Sequence, residues 1–221
     1  CGPVFLIAGF LLHKVLFLYI LRKSGSMGTY EINSLLAGYG FMFILSNGAA
    51  LSWGSTLRGY SYLAEPISLL GAIFAMNRLI AALIAIALCL TCYIFLAYTR
   101  LGKAIRATAL DIKTAQLMGI DVYWVLGICF GLGAMLAGLA GVLLSMMFPL
   151  TPFMGLPYLV ITFIIVVLGG MGSILGSLIG GFILGFVGSI VTYIEPGLSM
   201  VAFYSIFVLM LLAKPTGILG K

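Results

Sequence analysis

Seven apolar stretches alternate with shorter polar connections along the chain: roughly Gly2 to Ile20, Leu35 to Trp53, Leu79 to Tyr98, Val122 to Phe148, Leu156 to Leu168, Ile174 to Ile194 and Leu198 to Ala213. Most come near the length of about 20 residues needed to cross a hydrocarbon core of about 30 Å. They lack the in-out alternation of barrel strands, and backbone in lipid must satisfy its own hydrogen bonds, so the pattern predicts helices. The expected fold class is all-α, a polytopic transmembrane helix bundle of about seven membrane segments. With no whole-domain repeat or low-complexity linker in view, one transmembrane domain over residues 1–221 is the expected organisation.

The main polar interruption is Thr99 to Asp121, TRLGKAIRATALDIKTAQLMGID, which carries six of the sixteen charged side chains of the chain. Such an island must lie in water, and an ordered one is a natural docking place for a soluble partner. Asp111 is expected to cap a short helix over Ile112 to Met118, Gly119 to end it in a left-handed conformation, and Asp121 to cap the next membrane helix. In the preceding piece, Leu101 to Leu110, Lys103 and Arg106 fall on one face, while Ala104, Ala107 and Ala109 are small enough for close packing.

Placing the island inside makes the connections alternate. Eight Lys or Arg then lie inside and only Arg58 and Arg78 outside, the bias expected of cytoplasmic loops. The net charge of +6, in a chain 63% hydrophobic and 7% charged, reports this orientation, and nucleic-acid binding is excluded as a function class. His13 and Lys14 interrupt the first stretch after 12 residues, about 18 Å of helix. The helix is expected to emerge there, with Lys14 snorkelling to the inner headgroups and Arg22 and Lys23 on a cytosolic extension. The cut-short first stretch and the start at Cys1 are read as a missing N-terminal part. Cys89 and Cys92 have CxxC spacing but lie in an apolar stretch, where small core residues are the expected role.

Small residues form a second motif. In VVLGGMGSILGSLIGGFILGFVGS, Gly172, Gly176 and Gly180 recur every four residues, as do Ser173, Ser177, Gly181, Gly185 and Ser189, which gives smooth stripes for close helix approach. Gly133, Ala137, Gly141 and Ser145 read as a similar packing row. Gly169, Gly170 and Gly172 crowd three helix-weakening residues into four positions, so a break is expected there, with a transport pathway as its candidate role. No catalytic constellation is legible: the single histidine has no triad partners, there is no HExxH, and no GxxxxGK[ST] phosphate loop occurs. The expectation is a non-enzyme with no cofactor.

The island, followed by FGLGAMLAGLAGVLL, VVLGGMGSILGSLIGG and the terminal KPTGILG, resembles the permease subunits of bacterial branched-chain amino acid ABC transporters, of the high-affinity leucine, isoleucine and valine type. The resemblance implies a multi-pass protein of the bacterial inner membrane that imports branched-chain or other hydrophobic amino acids. It implies ATP-binding cassette ATPase subunits, a second permease subunit and a periplasmic substrate-binding protein as partners, besides membrane lipids. The island then corresponds to a cytoplasmic coupling region, residues 99–121, with Gly102, Arg106, Ala107, Asp111, Ala115 and Gly119 as the positions carried over. Family members usually begin with about two more membrane segments than this chain shows.

Three other readings compete. A secondary transporter or channel for small polar solutes would need intramembrane ionisable groups, which are few apart from His13, Lys14 and Glu195. An intramembrane enzyme would need an acid, base or metal constellation. A non-transporting assembly subunit would need only the docking island.

Overall fold

The computed structural model describes residues 1–23, 27–57, 59, 66–69, 72–170, 173–214 and 217. Of the residues singled out above, Arg58, Gly172 and all of the terminal KPTGILG but Lys214 and Gly217 lie outside these. The chain divides into two compact units, Cys1–Pro152 and Phe153–Lys221. Five of the described helices are long and apolar enough to cross a membrane: Gly2–Ile20, Ile32–Trp53, Met76–Tyr98, Val122–Ser145 and Leu175–Ile194. Two shorter apolar helices, Gly155–Gly169 and Pro196–Leu212, complete the seven expected from the pattern. The fold is an all-α polytopic helix bundle.

In the first unit α1 (Gly2–Leu12) continues through a π-helical turn, His13–Phe17, into α2 (Leu18–Lys23). The helix therefore continues past His13 and Lys14 as far as Lys23. His13 is buried, while Lys14 is exposed. Helix α3 (Met27–Trp53) follows, then a two-stranded hairpin, β1 (Pro66–Leu69) antiparallel to β2 (Ala72–Ala75), with Pro66 opposite Ala75. Next come α4 (Met76–Tyr98), two short helices, α5 (Arg100–Leu110) and α6 (Ile112–Leu117), and the long α7 (Val122–Ser145). At the far end of α7 the Asn77 amide donates to the Met146 carbonyl at 2.9 Å, tying the start of α4 to the end of α7.

The tightest seam of this unit runs between α1 and α7, which lie antiparallel. Gly2 faces Met135 and Leu139, Gly9 faces Ala134 and Gly131, and Gly127 faces Phe10 and His13. A Cβ on Gly9 would stand 2.6 Å from that of Ala134, and one on Gly131 would stand 2.8 Å from the Leu6 carbonyl oxygen. These backbones approach closely because neither glycine carries a side chain, as helices in lipid require when packing replaces the hydrophobic drive. The packing row on α7 is thus Gly127, Gly131, Ala134 and Gly138. The row expected from the sequence is displaced from it: Gly133 and Gly141 have nothing within 4 Å of a Cβ. Fourfold spacing exists on both faces of a helix, and only the partner decides which one is used.

The second unit consists of α8 (Gly155–Gly169), α9 (Ile174–Ile194), a 3-10 turn over Pro196–Leu198, and α10 (Ser199–Ala213). Ile164, Leu168 and Leu184 form its core, with Phe203, Ile206 and Phe207 packed against them. Of the two glycine stripes on α9, the one with Gly176 and Gly180 meets α8 at Gly169, Leu168 and Ile165, whereas Gly185 on the other faces open space. The α9–α10 corner is closed by polar contacts. Thr192 Oγ1 and Ser199 Oγ lie 2.9 Å apart, and Ser199 also donates to the Pro196 carbonyl.

Gly131→Val should lower the thermal stability of the purified protein by about 1 to 3 kcal/mol, because the added side chain meets backbone that cannot turn away. Gly141→Ala, on the same helix with no neighbour to meet, should leave the melting temperature unchanged or slightly raised.

Candidate functional site

The polar step between α4 and α7 is built by residues that each serve two helices. Thr99 ends α4 by donating its hydroxyl to the Phe95 carbonyl at 2.7 Å, and starts α5 by accepting from the Gly102 amide at 3.0 Å. Asp111 ends α5 and caps α6, accepting from the Lys113 amide at 2.9 Å and from the Thr114 hydroxyl. Asp121 caps α7 through the Trp124 amide at 3.2 Å. Each cap satisfies amides that a helix start leaves without partners, so three short-range bonds fix three changes of direction.

The end of α6 is equally determined. Gly119, at φ +78°, donates to the Gln116 carbonyl, and Ile120 donates to the Ala115 carbonyl at 3.1 Å. This paired arrangement is the Schellman motif, which requires the left-handed residue that glycine supplies without a Cβ penalty. A helix from Ile112, a left-handed Gly119 and a cap at Asp121 are as the sequence pattern predicts.

The carried-over positions divide in two. Gly102 is buried against the Leu96 backbone, where a Cβ would lie 2.5 Å from Leu96 Cα, and Ala115 is 3% exposed. Both face inward, with Ile105 and Thr108 on the same buried side, and hold the step against the bundle. Arg106, Asp111 and Gly119 are exposed, and Ala107 is half-buried. The Arg106 guanidinium folds back and donates to the Ala97 carbonyl at 3.1 Å, satisfying an orphan acceptor in the last turn of α4. Its role visible in the fold is to fix the α4–α5 angle.

Three residues that the sequence pattern did not single out stand at the surface of this step. Leu110 is 89% exposed, Leu117 87% and Met118 78%, at the ends of α5 and α6, and the same two helices expose Lys103 and Lys113. A large apolar side chain at an end of a charged step was the available signal, hidden because the whole chain is apolar.

The Thr114 hydroxyl and the Lys113 amide hold the Asp111 carboxyl below the usual carboxylate range. A depressed folded-state value contributes stability above the ordinary carboxylate range, and this is lost as pH falls through the lowered value. The cap is therefore fully formed at neutral pH.

In the second unit the expected glycine break exists. Gly170 ends α8 at φ +97° and ψ +123°, a conformation that belongs to glycine. Its carbonyl accepts from the Ser173 amide, and Ser173 in turn caps α9 through the Gly176 amide at 3.0 Å. Gly169 lies against the Gly176 backbone, and Gly217, at φ +83°, lies against Gly170. Gly169 and Gly170 are buried, with backbone on several sides.

The chain matches, over residues 15–213, the family described as the branched-chain amino acid transport system / permease component. It is 34% identical over 197 residues to LivH, the high-affinity branched-chain amino acid transport system permease protein, of Salmonella typhimurium and to LivH of Escherichia coli K12. It is 31% identical over 203 residues to the corresponding permease protein BraD of Pseudomonas aeruginosa. These alignments cover 85% and 88% of this chain, and the chain spans 64% of the length of the LivH proteins and 66% of BraD. No solved structure gives a significant match. The chain belongs to this permease family and is a multi-pass membrane protein.

Gly170→Ala should lower the melting temperature clearly, since the new Cβ is strained at positive φ whatever space surrounds it. Gly185→Ala on α9, with open space at its Cβ, should leave it unchanged. Equal melting temperatures for both variants would contradict the glycine requirement at Gly170.

Proposed function

We propose that this protein is the membrane-spanning permease subunit of an ABC importer for branched-chain or other hydrophobic amino acids in a bacterial inner membrane. Family membership carries the reading, and the rigid polar step supports it. In this proposal ATP-binding cassette ATPase subunits dock on residues 99–121, a second permease subunit completes the membrane part, and a periplasmic binding protein delivers substrate. The chain itself performs no bond chemistry; ATP binding and hydrolysis on the partners bias its conformations.

The physical basis for coupling is stiffness. A docked ATPase can move the membrane helices only if the step transmits displacement without bending, and shared caps at Thr99, Asp111 and Asp121 with the Schellman turn at Gly119 remove the soft joints. Leu110, Leu117 and Met118 offer the apolar contact for the partner, with Lys103 and Lys113 exposed on the same two helices. Gly102, Ala107 and Ala115 contribute by letting the step sit close to the bundle, and Arg106 by fixing its angle. For Gly169 and Gly170 the packing that buries them favours a structural closure of α8 on α9 over a pathway lining.

The antiparallel α1–α7 pair brings the Lys23 end of α2 and the start of α7 to the same end of the first unit, in keeping with both being cytosolic. A Lys113→Cys variant, in a background without native cysteines, should resist impermeant maleimide added to intact cells and react in inverted vesicles. Labelling in intact cells would refute the orientation.

Copurification of the full-length protein with its ATPase, followed by ATP-dependent uptake of leucine into proteoliposomes, tests the function as a whole. Within that assay Gly119→Val should cut uptake about tenfold while membrane insertion stays intact. Its Cβ meets no neighbour, so the loss comes from the strained left-handed turn alone. Gly119→Asn, which tolerates that conformation, should retain most of the uptake. Normal uptake and substrate-stimulated ATPase activity in the valine variant would overturn the coupling role.

A further inference from the structure

The π turn at His13–Phe17 borders a wide-mouthed cavity of about 600 Å³ on the first unit, a volume within the range of small-molecule pockets. Its lining includes His13 and Phe17 of the turn, Tyr30 and Ser34 of α3, and Phe130 and Gly133 of α7. Three features set it apart from a packing defect.

His13 is 6% exposed, and its ring stacks on Phe17 with centroids 6.2 Å apart and lies 6.1 Å from Phe130. Among the described residues no hydrogen bond to the imidazole is seen, so its nitrogens are free to meet a molecule in the space beside them. The Ser34 hydroxyl is buried with no hydrogen-bond partner. Other helix hydroxyls of this chain fold back onto the carbonyl four residues earlier, as Ser52, Thr91, Thr162 and Ser205 do. Ser34 does not, although that bond is the usual resort of a hydroxyl in a membrane helix. Buried polar groups left without partners cost free energy, and a bound molecule is one means of satisfying them. The third feature is the π turn itself. Such turns insert an extra residue, displace the side chains that follow and occur often at functional sites.

The chemistry of the lining selects the ligand. Imidazole, Ser34 and Tyr30 can all donate hydrogen bonds, and among the described residues neither a carboxylate nor a Lys or Arg lines the cavity. The polar end it suits is an acceptor such as a carboxylate or carbonyl oxygen. The remaining wall is mostly apolar and takes an aliphatic body, while the faces of Phe17 and Phe130 accommodate an ammonium group by cation–π attraction.

We infer that this cavity is a transit site that holds a small solute with a carboxylate or carbonyl head and an aliphatic body during its passage through the membrane. The inference rests on the permease reading given above and adds to it a place on the first unit and the residues that hold the cargo: Ser34, His13 and Tyr30 at the head, Phe17 and Phe130 around the body.

The test uses the complete transporter, with full-length subunits in proteoliposomes, and leucine together with its diazirine analogue as probes. The analogue should photolabel peptides containing His13–Phe17, Ser34 or Phe130, and excess leucine should suppress the labelling. Gly133→Leu places a side chain in the cavity where a Cβ meets nothing within 4 Å. It should reduce both labelling and uptake at least tenfold, with thermal stability and basal ATPase activity kept. Gly141→Leu, equally unobstructed but not part of the lining, should keep uptake within twofold. Ser34→Ala fills nothing and should cut labelling and uptake about fivefold, so the inference stays testable if Gly133→Leu fails to assemble.

Photolabelling elsewhere, or wild-type uptake in both Ser34→Ala and Gly133→Leu, would overturn the cavity while leaving the permease reading intact. Loss of thermal stability in Gly133→Leu with unchanged labelling in Ser34→Ala would mean that protein fills the space in the assembled transporter, and would also overturn it. Failure of the unsubstituted complex to take up leucine would instead remove the permease reading, and the cavity's assignment with it.

Discussion

Both units of this protein depend on backbones meeting where side chains are absent. In lipid no hydrophobic drive pulls one helix onto another, so association relies on close van der Waals contact along smooth surfaces. Gly9 against Gly131 and Ala134 closes α1 on α7, and Gly169 against Gly176 closes α8 on α9. At each place a single Cβ would intrude on the neighbouring backbone or on its Cβ. Features that lie farther from the glycines depend on these seams. The seam between α1 and α7 carries the π turn against α7, and the α8–α9 seam holds the reversal at Gly170 beside Gly217.

The polar step illustrates a different source of rigidity. Its helices α5 and α6 are too short to be stable on propensity alone, since isolated helices under about 12 to 15 residues are marginal in water. They persist because side-chain oxygens at Thr99, Asp111 and Asp121 satisfy the amides at each start, and because Ile105, Thr108 and Ala115 bury a face against the bundle. The outcome is an ordered surface that presents Leu110, Leu117 and Met118 to solvent. In the proposed transporter this apolar trio is the surface on which the ATPase would dock.

The histidine at position 13 has a context that its neighbour Lys14 conceals in the sequence. A charged pair after 12 apolar residues resembles a helix leaving the membrane, and the helix itself runs on through Lys23. At the start of the π turn His13 faces α7 while Lys14 remains exposed. One element thus buries an imidazole beside a cavity and keeps the cation out of it.

The sequence by itself determined the seven apolar helices, the all-α class, the short helices of the step with their caps at Asp111 and Asp121, and the break at Gly170. These depend on periods and caps that act within a few residues, or on hydrophobic length, and both can be read along one dimension. Only the tertiary structure decided which of two glycine rows on α7 forms the seam, since Gly131 and Gly133 are equivalent until α1 arrives. The same holds for the inward positions of Gly102 and Ala115, the backbone role of Arg106, the exposure of Leu110, Leu117 and Met118, and the burial of His13. In a chain that is apolar nearly throughout, hydrophobicity no longer marks the inside, so the direction each side chain faces is set by which helix packs against it.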